Sequence, residues 1–174
     1  MTESSPTRRP LPKKLPLAGL LGLRDGDELD WARLRAIQHS VPASKIVFRM
    51  CGHGVLAAMT VAILFPVVPP AYLIGWIALV AASLGIMFQA DIGLQSKPGQ
   101  TLTKGAAARH LRGTISAAIA WSLASPLAWA FGSPADVLAI WAVLAAVITG
   151  ITITLGTAPL GAILFSIIVM VPGI

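Results

Sequence analysis

Residues 46–90 read IVFRMCGHGVLAAMTVAILFPVVPPAYLIGWIALVAASLGIMFQA. Two apolar runs flank a turn containing Pro66, Pro69 and Pro70, and so dense a set of prolines cannot continue a helix. Each run approaches the roughly 20 residues, at about 1.5 Å rise apiece, that a helix needs to cross hydrocarbon. The pair is predicted to be an antiparallel helical hairpin in a membrane, with spans at 46–65 and 72–90. Tyr72 and Trp76 open the second run, where aromatic side chains anchor a span at headgroup depth.

Beyond the hairpin, Asp91 to His110 carries Lys97, Pro98, Gly99, Lys104 and Arg109 and has the composition of a polar connector. A third span is expected at 111–131. Pro126 falls in its second half, deprives the Ser122 carbonyl of its helical donor and predicts a kink there. Residues 132–136 read as a tight turn in which Asp136 can cap a fourth span at 137–156. As one helix, residues 137 to 174 would reach about 57 Å, nearly twice the hydrocarbon thickness. A break at 156–159 therefore predicts a fifth segment at 158–174, with Pro159 in its first turn. The expected fold is all-α: a polytopic transmembrane bundle of about five spans.

Toward the N-terminus, residues 1–24 place Pro6, Pro10, Pro12 and Pro16 among Ser, Thr and Lys and read as a flexible basic arm. Arg8-Arg9 before Leu15 superficially resembles a twin-arginine signal, but the prolines interrupt it and no small-residue cleavage site follows. Residues 25–174 form the membrane domain, preceded within it by an amphipathic helix at 26–39. Asp25 or Asp27 can cap that helix, and Glu28 and Asp30 suit its first turn. Trp31, Leu34, Ile37 and Val41 share one side, flanked by Arg33 and Arg35. The pattern suits either an interfacial helix, with Trp31, Arg33, Arg35 and Trp76 as anchors, or an ordinary packed surface helix.

Composition agrees with a lipid solvent. Hydrophobic residues make up 56% and charged residues 11%, with a mean hydropathy of +0.79, whereas soluble domains are near a quarter charged. Of the 13 Lys and Arg, nine lie between Arg8 and Arg49 and four between Lys97 and Arg112, with none in the turns at 66–71 and 132–136. By the positive-inside rule the N-terminus and the long connector face the cytoplasm, and five spans put Ile174 on the periplasmic side of a bacterial inner membrane. The net charge of +6 is read as topology and contact with an anionic cytoplasmic leaflet. No nucleic-acid motif accompanies it.

Groups able to do chemistry are few. Past Gly113 the only charged side chain is Asp136, and no zinc-helix, phosphate-loop or nucleophile-elbow motif occurs. An enzyme is not expected, nor a bound cofactor or metal. Arg49, Cys51 and His53 lie early in the first span, where an ionisable group is a candidate for function. His53 near the headgroups is read first as a structural residue, and Cys51 as a small packing residue. His53 and His110 can share one leaflet, which raises axial haem ligation as an alternative. Trp121 falls mid-span, so its indole N–H needs a partner. Pro126, Trp121 and the base of the first span are the ligand or packing candidates. Small residues from Gly75 to Gly85 and from Gly113 to Ala120 permit close helix packing and self-association.

In order, Glu28-Leu-Asp-Trp-Ala-Arg-Leu-Arg-Ala-Ile-Gln38, Val41-Pro42, the first span, Pro69-Pro70 and Leu73-Ile-Gly-Trp76 resemble the N-terminal membrane region of bacterial signalling proteins. These are the MASE-like sensor regions that precede GGDEF and EAL domains, and similar regions of membrane histidine kinases. The likeness runs through Ala120-Trp121 and Gly150 to Pro159. It implies a non-catalytic sensor of the cyclic-di-GMP or kinase type that signals through helix packing. Such regions often carry an asparagine where this chain has Arg49 to His53, and no output domain follows here. The family pattern then calls for a sixth span after Ile174, or for a stand-alone relative acting through other membrane proteins. The alternative is a small accessory subunit of a respiratory or photosynthetic assembly. A transporter is a poorer fit, because five spans are expected to show neither a buried charge nor an obvious broken-helix site.

Overall fold

A computed structural model describes residues 17–21, 31–94 and 101–171. Asp25, Asp27, Glu28, Asp30, Lys97 to Gly99 and Ile174, together with residues 1–16 of the basic arm, lie outside the described residues. Within them every element is helical. A short α1 (Leu17–Leu20) precedes α2 (Trp31–Ser44), then α3 (Ile46–Leu64), α4 (Pro70–Ile92), α5 (Lys104–Ser122), α6 (Ala124–Phe131), α7 (Pro134–Leu155) and α8 (Pro159–Met170).

The boundaries follow from the prolines. Pro70, Pro134 and Pro159 each stand at the first position of a helix, where the missing N–H has no bond to lose. Pro126 acts as expected: the third apolar segment is broken at Leu123 into α5 and α6. The cap of α7 differs in detail from the expectation for Asp136. Ser133 is the N-cap, and Asp136 lies three residues on, closing a capping box with it.

The connector after the hairpin is shorter than its composition suggests. The fourth helix runs on through Asp91 to Ile92, and α5 starts at Lys104 with Thr103 as its N-cap, so Arg109 and His110 are helical. Asp91 is fully buried, and a buried carboxylate is better served by a rigid helix among partners than by a solvated loop.

Four segments are long and apolar enough to cross a membrane: Ile46–Leu64, Pro70–Ile92, Lys104–Phe131 and Pro134–Leu155. Only 22% to 50% of each apolar window is buried inside the protein. Outward residues such as Val47, Phe48, Ile74 and Leu138 are apolar too, which is compatible with a multi-pass membrane protein. The fifth apolar helix, α8, has 12 residues, or about 18 Å, which covers little more than half of a bilayer core.

The long helices close a ring in which α3 touches α4, α4 touches α5, α5 touches α8, α8 touches α7, and α7 returns to α3. Trp121, Phe165, Ile140, Leu144 and Leu64 fill its interior. The fourth and fifth helices approach closely at Gly113, where a Cβ would stand 3.0 Å from Met87 Cα. Buried Ala117, Ala118 and Ala120 continue that seam, as expected where packing rather than hydrophobicity joins helices.

The second helix lies across the end of the ring that carries Lys45, Arg49, Lys104 and Arg109. Its Ala32 carbonyl accepts from Leu102 N at 2.8 Å, and Arg35 Nε donates to the Leu102 carbonyl at 3.1 Å. On the other side, Thr157 Oγ1 donates to the Gln38 carbonyl at 2.6 Å. Gln38 is four residues before Pro42, whose nitrogen carries no hydrogen, so the threonine hydroxyl replaces the donor that the proline lacks.

Candidate functional site

Most buried hydroxyls in this bundle are satisfied by their own helix. Thr60, Ser83, Thr114, Ser122 and Thr154 each donate to a carbonyl three or four residues back. A different kind of polar group gathers beneath α2. Arg49 of α3, Asp91 of α4 and His110 of α5 are all buried, at 3%, 0% and 1% exposure. The topology places them together. Arg49 is in the first turn of α3, Asp91 is in the last turn of antiparallel α4, and His110 is in the second turn of α5.

Arg49 Nη2 pairs with Asp91 Oδ2, and His110 Nδ1 lies 2.8 Å from Asp91 Oδ1. Both carboxylate oxygens are thus engaged, one by each neighbouring helix. Such a charge-assisted arrangement is strong because water is excluded, and costly for the same reason. Arg49 Nε and Nη1 and His110 Nε2 have no hydrogen-bond partner among the described residues.

His39 abuts this triad, and His53 lies one helical turn from Arg49 toward the bundle interior. His39 of α2 meets His110 edge to face, with ring centroids 5.0 Å apart. Burial, then the neighbouring His110 and Arg35, lowers the His39 imidazole from 6.5 to about 4, which keeps it neutral at pH 7. His53, one helical turn beyond Arg49, is 4% exposed and has neither ring nitrogen hydrogen-bonded among the described residues. Its ring lies on Trp121 at 5.7 Å and near Phe165 at 6.5 Å.

Trp121 is fully buried, and its Nε1 is likewise without a partner among the described residues. Trp76, expected as an interfacial anchor, faces inward and is buried among the helices. It donates from Nε1 to the Ala120 carbonyl at 2.9 Å and packs edge to face on Trp121 at 5.6 Å. Trp31 is also buried, its ring against the Gly19 backbone. Arg33 and Arg35 are half-buried on α2. Cys51, expected to pack, is exposed on the outer face of α3. Pro126 is exposed on α6, away from the triad.

The structure therefore joins His53 to Trp121 and Arg49 to Asp91, and brings His110 and His39 against Asp91 in turn. Among the described residues no group of three or more His, Cys, Asp or Glu is arranged to hold a metal ion. The cation of Arg49 occupies the carboxylate that a metal would need. What the arrangement can do is hold three helices by a charge pair that a proton or a competing ion can open. Comparisons with protein-family models, curated proteins and solved structures gave no match.

Proposed function

We propose that the chain is a multi-pass protein of a bacterial inner membrane, with its basic end in the cytoplasm. There it works as a non-catalytic sensor or regulatory module whose signal is a change in helix packing. The observation that carries this reading is the convergence of Arg49, Asp91 and His110 from three helices inside the bundle.

Ionisable groups at membrane depth are expensive, and an apolar trio of similar size would hold the helices at least as well. Their retention suits a switch. While Asp91 bridges Arg49 and His110, α3, α4 and α5 are tied at one end. If a proton or a ligand takes one of those partners, the remaining buried charge is uncompensated and the helices shift toward hydrating it. A stimulus acts only through unequal affinity for the two packings, and a buried charge pair supplies that inequality. The position of α2, strapped over the triad through His39, Arg35 and Thr157, gives the change a route to the polar side. The clustering of basic residues at this end supports its cytoplasmic placement. The likeness of Trp31 to Gln38 and of Leu73 to Trp76 to MASE-like regions supports a signalling output of the cyclic-di-GMP or kinase type.

The test is made in the host bacterium. Cyclic-di-GMP content and kinase phosphotransfer are compared between wild type, a deletion and Asp91→Asn at matched membrane levels. One of the two outputs should change in both mutants. No change in either would sink the reading. Stalled assembly of a larger membrane complex in the deletion would replace it with the accessory-subunit function.

A further inference from the structure

Two cavities open at the basic end of the bundle: one of about 310 Å³ beneath α2, and one of about 420 Å³ where the last turns of α4 part from the first turns of α5. Small residues shape the second. The two helices meet at Gly113, and toward the basic end Ala90, Gly93 and Ala106 leave the gap between them open. Its polar lining is Gln89 from α4 with Arg109 and Arg112 from α5, all three exposed. The arginines stand three residues apart on one helical face, so their like charges repel across about 5–6 Å. Arg112 Nε donates at 3.4 Å to the Ala108 carbonyl of its own helix, and neither guanidinium forms an ion pair among the described residues. The connecting residues 95–100, outside the described residues, carry Lys97 and no acid in their sequence. The carboxyl end of α4 opposes the two positive charges with only about half a negative one. The field in the cleft is therefore positive, and strongest on the α5 side. Toward the middle of the spans the surface turns apolar: Ile86 in the lining is 54% exposed, and Ile119, two turns beyond Arg112, is 49% exposed.

We infer that this cleft seats one anionic phospholipid, its phosphodiester held by Arg109 and Arg112 and an acyl chain running over Ile86 and Ile119. A phosphate between the two guanidiniums relieves their repulsion and matches their forked donors. A head that carries its own cation, such as phosphocholine, brings a third positive charge beside them, and phosphatidylglycerol does not. The cleft lies between two spanning segments, where a free phosphate gains nothing from the isoleucines and an acyl chain covers them. Basic pockets between transmembrane helices on the cytoplasmic side suit anionic headgroups for these reasons. Gln89 adds a polar contact from α4, so the bound head ties α4 to α5 from outside, as Asp91 and His110 do from within. The seat rests on the membrane placement proposed above and is independent of any signalling output.

The full chain is placed in phosphatidylcholine nanodiscs with a rising fraction of phosphatidylglycerol, and retained lipid is counted by native mass spectrometry. One phosphatidylglycerol is retained in preference to phosphatidylcholine. Arg109→Gln/Arg112→Gln, at exposed positions that folding does not need, weakens that retention tenfold or more. Ala106→Leu keeps both charges, fills the cleft and weakens retention severalfold. Lys45→Gln/Lys104→Gln removes equal charge from the same end of the bundle, outside the cleft, and leaves retention unchanged. Equal losses in the two double variants would overturn the seat in favour of diffuse attraction, and full retention by Ala106→Leu would do the same. Phosphatidylcholine held as tightly as phosphatidylglycerol would overturn the selection of an anionic head. Displacement of the lipid by inorganic phosphate would overturn the role of the acyl chain. A chain that fails to enter nanodiscs would overturn the membrane placement itself, and the seat with it.

Discussion

Replacing Asp91 by Asn keeps the shape of the side chain and removes its charge. In contact, Arg49 and Asp91 attract each other by about 5–6 kcal/mol for charges about 3 Å apart at an effective dielectric near 20. Removing both from water costs several kcal/mol per ion, so the pair as a whole contributes little net stability. The single variant is different, because Arg49 stays 3% exposed with its counter-charge gone. Asp91→Asn should therefore cost about 3–5 kcal/mol. Arg49→Met/Asp91→Leu, which removes both charges and keeps the volume, should lie between neutral and about 4 kcal/mol more stable. The assay is reversible unfolding of the full chain in bicelles by steric trapping, with each single variant and the double variant measured together. A loss below about 1 kcal/mol for Asp91→Asn would refute a buried, unscreened pair. A double variant at the sum of the singles would refute the coupling between them.

Other consequences follow from particular contacts. Because the folded protein lowers His39 from 6.5 to about 4, the unfolded state binds more protons between those values. The hold of α2 on the bundle is then full above about pH 6.5 and declines as pH falls toward 4. Amide exchange of α2, corrected for its intrinsic rate, should accelerate across that window, and His39→Gln should flatten the response; an unaltered profile in the variant would exclude His39 as its source. Gly113→Ala puts a methyl 3.0 Å from Met87 Cα and should cost about 1–3 kcal/mol, whereas Gly75→Ala, with open space around it, should be nearly silent in the same unfolding assay. Thr157→Val removes the donor to the Gln38 carbonyl and should cost about 1 kcal/mol. In a Pro42→Ala background a backbone N–H becomes available to that carbonyl, so the effect of Thr157→Val should shrink; an equal loss in both backgrounds would show that the hydroxyl does not stand in for the proline.

Prolines were the most legible feature of the fold, because their effect is covalent. Pro126 predicts the break that separates α5 from α6, and Pro159 predicts the start of α8. Hydropathy likewise marked where the four long apolar helices lie. It failed at Asp91, which stands where the apolar run meets a polar stretch and reads as the first residue of a loop. Only the antiparallel packing of α3, α4 and α5 shows that Arg49 and His110 are waiting there. Trp76 misled for a related reason. An aromatic at the start of a span suits the headgroups and the core equally, and the rotational phase of α4 decides between them. The same phase turns Met87 onto Gly113 further along the helix. His39 was unreadable without the contacts of α2 with Leu102 and Thr157, which hold that helix across the bundle.

His110 is the residue on which the separate parts of the molecule meet. Its Nδ1 edge belongs to the Asp91 and Arg49 pair, its face meets the edge of His39, and it also lines the cavity beneath α2. A ring in that position cannot serve the cavity without affecting the triad. Asp91 carries two contacts, one joining α4 to α3 through Arg49 and the other joining α4 to α5 through His110. The Gly113 seam already clamps α4 to α5, whereas α3 and α4 touch less extensively. The α3–α4 contact is therefore the less firmly held of the two, and in the sensor reading proposed above it is movement of α3 relative to α4 that would carry the packing change.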